Sequence, residues 1–168
     1  NALNNSLTGN AAANVLDGQG GTDSILNVEH VNGTPFNDSL KGNSDTNWFR
    51  PYAGNDTVDG AAGSDVVMYE SSGSGVTVNL QTGLATGADI GTDTLISIEN
   101  AHGSRFNDVI TLNDVGGYVF ARAGNDTLAG GIGADLFFPG SGNDSVDGGA
   151  GIDTVSYFDD AFDGAGPI

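Results

Sequence analysis

GGIGADLFF (130–138), PGSGNDSVD (139–147) and GGAGIDTVS (148–156) run head to tail as three nonapeptides, and their spacing decides the fold. With the turn before them they place acids at Asp126, Asp135, Asp144 and Asp153, in steps of nine. Stepping back from Asp126 by nine reaches Gly117, where the acid is missing, and then Asp108. A second register runs through Asp38, Asn47, Asp56 and Asp65, and a third through Asn5, Asn14 and Asp23; Asp93 stands apart. The residues two places later are Leu7, Leu16, Ile25, Leu40, Phe49, Val58, Val67, Leu95, Ile110, Val119, Leu128, Phe137, Val146 and Val155. Every one is apolar in a chain that is 38% hydrophobic, so the phase is real.

A short strand whose faces alternate can turn one such side chain inward. One repeat cannot bury that side chain alone, so the core must come from stacking repeats on one another. A longer period overlies the short one. GTDSILNVEHVNGTPFNDSL (21–40) matches GTDTLISIENAHGSRFNDVI (91–110) at an offset of 70, which also carries Asp56 to Asp126 and Asp65 to Asp135. The chain therefore divides into degenerate repeats at 1–26, a connector at 27–37, a repeat run at 38–68, a connector at 69–107, a second run at 108–156 and a truncated connector at 157–168. All are expected to form one continuous module of a larger protein, of which a chain opening on Asn1 is a processed or excised piece. The 70–92 stretch lacks the phase and is expected to pack against the stacked repeats as a local insertion, with no ion at its centre.

Composition narrows the chemistry. The 168 residues carry 22 acids against four Lys or Arg, a formal charge of −18. Phosphate binding draws on Lys and Arg, so a free-standing nucleic-acid binder is excluded. The lack of cysteine rules out a disulfide scaffold and thiolate metal sites. No apolar run approaches the roughly 18 residues of a membrane span. Only Glu29, Glu70 and Glu99 among the acids are not Asp, and Gly occurs 28 times. Asp with Gly means carboxylates held in turns of unusual backbone shape, not a helical acidic surface.

The form G-G-x-G-x-D-x-U-x, read at 121–156 and nearly as well at 51–68, resembles the RTX, or haemolysin-type, calcium-binding repeat family. The resemblance implies an all-β fold, a parallel β-roll in which each nonapeptide is a six-residue turn and a three-residue strand, with 18 residues per coil. It further implies that Ca²⁺ sits between Asp residues 18 apart, with turn carbonyls completing an oxygen shell of the kind this hard cation prefers. The pairs Asp126/Asp144 and Asp135/Asp153 are complete in acids and in glycines (Gly131, Gly133, Gly140, Gly142, Gly149 and Gly151). Asp38/Asp56 and Asp108/Asp126 are complete in acids, but the first turn of each lacks the glycines. Asn47/Asp65, Gly117/Asp135 and Asn5/Asp23 each lack one carboxylate and should be weak or empty. Asp93 joins the candidate ligands, and four to six ions are expected.

Other motifs carry less. Asn43-Ser44-Asp45-Thr46-Asn47 opens like an EF-hand loop, but Trp48 occupies the place of its glycine and Gly54 that of its bidentate Glu. His30 and His102 sit in equivalent connectors two positions out of register and suit structural hydrogen bonds. No Ser–His–Asp set is in a recognisable setting, so no catalytic residue is expected. Trp48 and Tyr118 flank inward positions and should face outward near Arg50, Arg105 and Arg122. They read as sheet cover, or alternatively as a surface for a neutral glycan or cell-surface polymer. The expectation is a non-catalytic calcium-binding module, secreted or at a bacterial cell surface after type I secretion, with an adhesin or S-layer role as the alternative.

Overall fold

The computed structural model describes residues 29–157, together with the backbone of three strands before them. Those are β1 (Ser6–Thr8), β2 (Val15–Leu16) and β3 (Ser24–Leu26). The first stacked coils continue with β4 (His30–Asn32), β5 (Ser39–Lys41), β6 (Trp48–Arg50), β7 (Thr57–Asp59) and β8 (Val66–Met68). The long connector supplies β9 (Val76–Asn79), β10 (Leu84–Gly87), β11 (Gly91–Ile96) and β12 (Asn100–His102). The second run forms β13 (Val109–Thr111), β14 (Tyr118–Phe120), β15 (Thr127–Ala129), β16 (Leu136–Phe138), β17 (Ser145–Asp147) and β18 (Thr154–Val155). No helix occurs among the described residues.

Outside β9–β11, successive strands alternate between two sheets, which makes a parallel β-roll. One sheet has the order β1-β3-β5-β7-β11-β10-β9-β13-β15-β17, and the other β2-β4-β6-β8-β12-β14-β16-β18. Within the repeat runs the register advances by 18, as in Leu40↔Val58, Phe49↔Val67, Ile110↔Leu128 and Val119↔Phe137. The central residue of each three-residue strand points into the narrow space between the sheets. Leu40, Phe49, Val58, Val67, Leu95, Ile110, Val119, Leu128 and Phe137 are all buried there, as the phase requires. Val146 is only partly buried and Val155 is exposed, because no described coil stacks above theirs. Leu7, Leu16 and Ile25 lie outside the residues whose side chains are described.

The long connector differs from the expectation of an insertion packed against the roll. It enters the first sheet in plane: β9, β10 and β11 form an antiparallel meander between β7 and β13. In-plane entry satisfies the edge groups of both repeat runs, which a covering loop would leave open. Its inward residues Val76, Val78, Ala85, Ile90 and Leu95 extend the same core. The structure is therefore one uninterrupted stack through residues read as connector.

Stacked turns approach so closely that some positions admit no side chain. Gly124 has φ +139°, and a Cβ there would lie 2.6 Å from the carbonyl oxygen of Phe106, in the turn one coil below. Gly124→Ala is therefore expected to cost about 1–3 kcal/mol, the usual scale for a strained backbone position. Thermal unfolding at saturating Ca²⁺ measures it, and an unchanged midpoint would contradict this packing.

Candidate calcium sites

Each six-residue repeat turn among the described residues ends one residue before its strand, in Asp except at Asn47 and Gly117, and these positions form ladders along the two edges of the roll. On one edge the backbone N–H of Asp38 donates to Asp56 Oδ1 at 2.8 Å, that of Asp108 to Asp126 Oδ1 at 2.8 Å, and that of Asp126 to Asp144 Oδ1 at 2.8 Å. On the other edge the N–H of Asp135 donates to Asp153 Oδ1 at 3.0 Å. All four complete pairs expected from the sequence are thus brought together, 18 residues apart. The incomplete pairs use the same link: Asn47 N–H donates to Asp65 Oδ1 at 2.7 Å and Gly117 N–H to Asp135 Oδ1 at 3.0 Å. Asp23 lies outside the described residues.

The second oxygen of each carboxylate divides the turns into two kinds. In closed turns the backbone N–H four residues earlier folds back onto the side chain. Thr34 N–H reaches Asp38 Oδ2 at 2.6 Å, Ser104 N–H reaches Asp108 Oδ2 at 2.7 Å, and Gly131 N–H reaches Asp135 Oδ2 at 2.9 Å. In open turns the residue four before the acid is left-handed: Tyr52 (φ 71°) before Asp56, Ala61 (72°) before Asp65, Arg122 (81°) before Asp126, Gly140 (81°) before Asp144 and Gly149 (82°) before Asp153. The N–H groups of Ala61 and Gly149 turn away to Asp59 and Asp147. Three of these five positions carry a Cβ in a region that costs about 1–2 kcal/mol per residue, strain of the sort that gathers at functional sites.

Of the six glycines expected to shape ligand turns, Gly140, Gly142, Gly149 and Gly151 have positive φ and Gly131 and Gly133 do not. The 130–135 turn is closed by Gly131 N–H, although its sequence matches the repeat best. Asp93 also differs from a turn ligand. It lies within β11, faces the interior and is fully buried; Asp56 N–H donates to its Oδ1 at 2.9 Å and the Tyr69 hydroxyl to its Oδ2 at 2.8 Å.

The chemistry of the open turns is that of an incomplete cation site. Asp56 and Asp65 are each 1% exposed, and Oδ2 of each has no hydrogen-bond partner. A buried carboxylate oxygen without a donor is costly, and a divalent cation removes that cost. Burial is the largest cause that raises these groups from the ordinary value of 3.8: Asp56 to about 8, Asp65 to about 6 and Asp93 to about 6. Neighbouring carboxylates add to this for Asp56 (Asp93 and Asp38) and for Asp65 (Glu99 and Asp59). Among the described residues no three His, Asp or Glu side chains gather around one point. Each step of a ladder sets two carboxylates one coil apart, and the turn carbonyls are the other oxygens beside them. The donor set is all oxygen, which fits Ca²⁺.

Outward-facing aromatics form a second cluster. His30 stacks on Trp48 at 6.0 Å, Trp48 meets His102 edge-on at 5.6 Å, and Phe120 stacks on Phe138 at 4.1 Å. Beside them Glu70 binds Arg122 at 2.8 Å, His102 Nδ1 at 3.0 Å and Arg50 at 3.4 Å. The His102 hydrogen bond, helped by Arg122 and Arg50, holds the Glu70 carboxyl down at about 2 against its burial. His102 belongs to β12, and β8 and β12, at the middle of this sheet, are buried on both faces.

The chain matches the RTX calcium-binding nonapeptide repeat in four copies, over residues 1–26, 32–67 and 118–155. It belongs to that family, and it is a calcium-binding repeat module. Comparison with curated proteins finds no match.

The raised carboxyls set the pH response of the calcium-free chain. They ionise near 3.8 when unfolded but at about 6 to 8 when folded. Their contribution to stability is therefore complete below 3.8 and is lost as pH rises through the 6-to-8 range. In chelator the chain is expected to be more folded at about pH 5 than at about pH 8. Circular dichroism at the two values tests this, and equal or greater folding at the higher pH would contradict it.

Proposed function

We propose that this chain is a non-catalytic module of a large secreted or cell-surface bacterial protein, and that Ca²⁺ outside the cell drives its folding after type I secretion. The observation that carries this reading is the set of buried carboxylates with an unpartnered oxygen, at Asp56 and Asp65, in turns whose backbone is already strained. Without cations the chain must bury part of a −18 charge against its own repulsion. Four to six divalent ions, held by Asp126/Asp144, Asp135/Asp153, Asp38/Asp56 and Asp108/Asp126 among others, offset roughly half of that charge. Each site adds about 2.7 kcal/mol when the ion is at 100 times its dissociation constant. At low cytosolic Ca²⁺ that contribution disappears, and an unfolded chain is what a narrow secretion channel can pass.

Neutral-glycan binding is the second reading. Trp48, Tyr118 and Phe120 are half-buried among one another and His102, which favours their role as cover for the sheet. Binding on a glycan array that is lost in Trp48→Ala would favour the glycan instead.

The expected behaviour is a chain largely disordered in chelator at neutral pH that gains β signal at millimolar Ca²⁺. Magnesium should not replace calcium, because it demands rigid octahedral geometry and holds its water tightly. Far-UV circular dichroism reads this directly, and a fully folded chain in excess chelator at neutral pH would overturn the proposal.

A further inference from the structure

The turns that join consecutive repeat strands among the described residues are six residues long, and two links that cross between the sheets have only three. β11 ends at Ile96 and β12 begins at Asn100, and β3 ends at Leu26 while β4 begins at His30. Both three-residue links end in glutamate, Glu99 and Glu29, where the six-residue turns end in Asp, Asn or Gly. The shortening shows in the register: Val58 pairs with Leu95, 37 residues on, but Val67 pairs with Ala101, 34 residues on. Glu99 nevertheless holds the ladder position, because Asp65 N–H donates to its Oε2 at 2.9 Å. A truncated turn withdraws the backbone from the edge, and the extra methylene of Glu restores the reach.

Three observations mark this as a binding position and not only a splice. Asp65 is 1% exposed and its Oδ2 has no hydrogen-bond partner. That oxygen stands 2.5 Å from where a Cβ on Gly60 would lie, and the carbonyl oxygen of Ser97 borders the same point. Ser97 is itself left-handed, with φ 51°. On its other side Asp65 faces Asn47, a neutral amide whose Oδ1 accepts from Asn43 N–H at 2.8 Å and whose Nδ2 donates to Asn43 Oδ1. The one carboxylate that continues the ladder from Asp65 is Glu99. It lies between the matched repeat stretches, which stop at 67 and resume at 118.

We propose that Asp65 and Glu99 are the carboxylate pair of a calcium site that joins the first repeat run to the connector, with the Ser97 carbonyl among its oxygens. Asp56/Asp93, on the opposite edge of the same coil, is its counterpart without an ion of its own, because the Tyr69 hydroxyl takes the oxygen of Asp93 that a cation would use. The site gives the connector a metal clamp on one edge and a tyrosine clamp on the other.

This rests on the calcium reading, so the test carries a control. Calcium stoichiometry is measured by equilibrium dialysis on the 168-residue chain and on Glu99→Gln, Glu99→Asp, Asp65→Asn/Glu99→Gln and Asp126→Asn, with circular dichroism at saturating Ca²⁺ to confirm folding. Glu99→Gln keeps an acceptor for Asp65 N–H and removes only the charge, so it is expected to fold and bind one ion fewer. The double variant should lose that same single ion. Glu99→Asp is expected to weaken this ion at least tenfold, since the short turn needs the longer side chain. An unchanged count and affinity in Glu99→Gln would overturn the proposal, as would an unweakened ion in Glu99→Asp should Glu99→Gln fail to fold. If the Glu99 variants keep every ion while Asp126→Asn loses one, only this site fails. If the parent chain binds no calcium, the proposed function fails with it.

Discussion

A carboxylate can be withdrawn from water only if something takes up its charge, and this roll withdraws one from almost every turn. The backbone contributes a single N–H from the turn below, which satisfies one oxygen. Closed turns such as 34–38 and 104–108 satisfy the second with their own backbone. Open turns do not, and they keep left-handed residues, two of them glycines, that hold the carboxylate ready. The core is thin: each three-residue repeat strand turns its central residue inward, and the two sheets share one narrow interior. The edges therefore carry the charge that this interior leaves unmatched, and they are where a bound cation would act on stability.

The fold was legible because its signal is a phase. Apolar residues two places after each acid, with three-residue strands between glycine-rich turns, admit few arrangements besides stacked coils, and the register of 18 in Leu40↔Val58 and Ile110↔Leu128 follows. The connector was less legible because its strands are paired antiparallel and carry no period of nine. Alternation in Val76-Thr77-Val78-Asn79 marks a strand, but nothing local says that it enters the sheet in plane.

At the sites, sequence identifies the acids and the pairs but not their state. Asp135 follows the best-matching glycines and yet closes on Gly131, whereas Tyr52, Ala61 and Arg122 open their turns without a glycine. The glycines of a nonapeptide therefore do not tell an open turn from a closed one. Asp93 keeps the ladder link from Asp56 N–H and also accepts from the buried Tyr69 hydroxyl, a partner that no spacing announces. Glu99 is passed over by counting in nines, and the signal that finds it is the residue just before a strand, whatever the length of the turn.

The central claim is that one ion is shared by carboxylates one coil apart. Calorimetric calcium counts on Asp126→Ala, Asp144→Ala and the double variant test it most directly. If the two share a site, the double variant should lose little more than either single one, because residues acting through one ion are non-additive. Asp135 and Asp144, nine apart and on opposite edges, should come nearer to additivity. Coupling of the nine-apart pair with independence of Asp126 and Asp144 would contradict the account, because it would put adjacent turns face to face in place of successive coils.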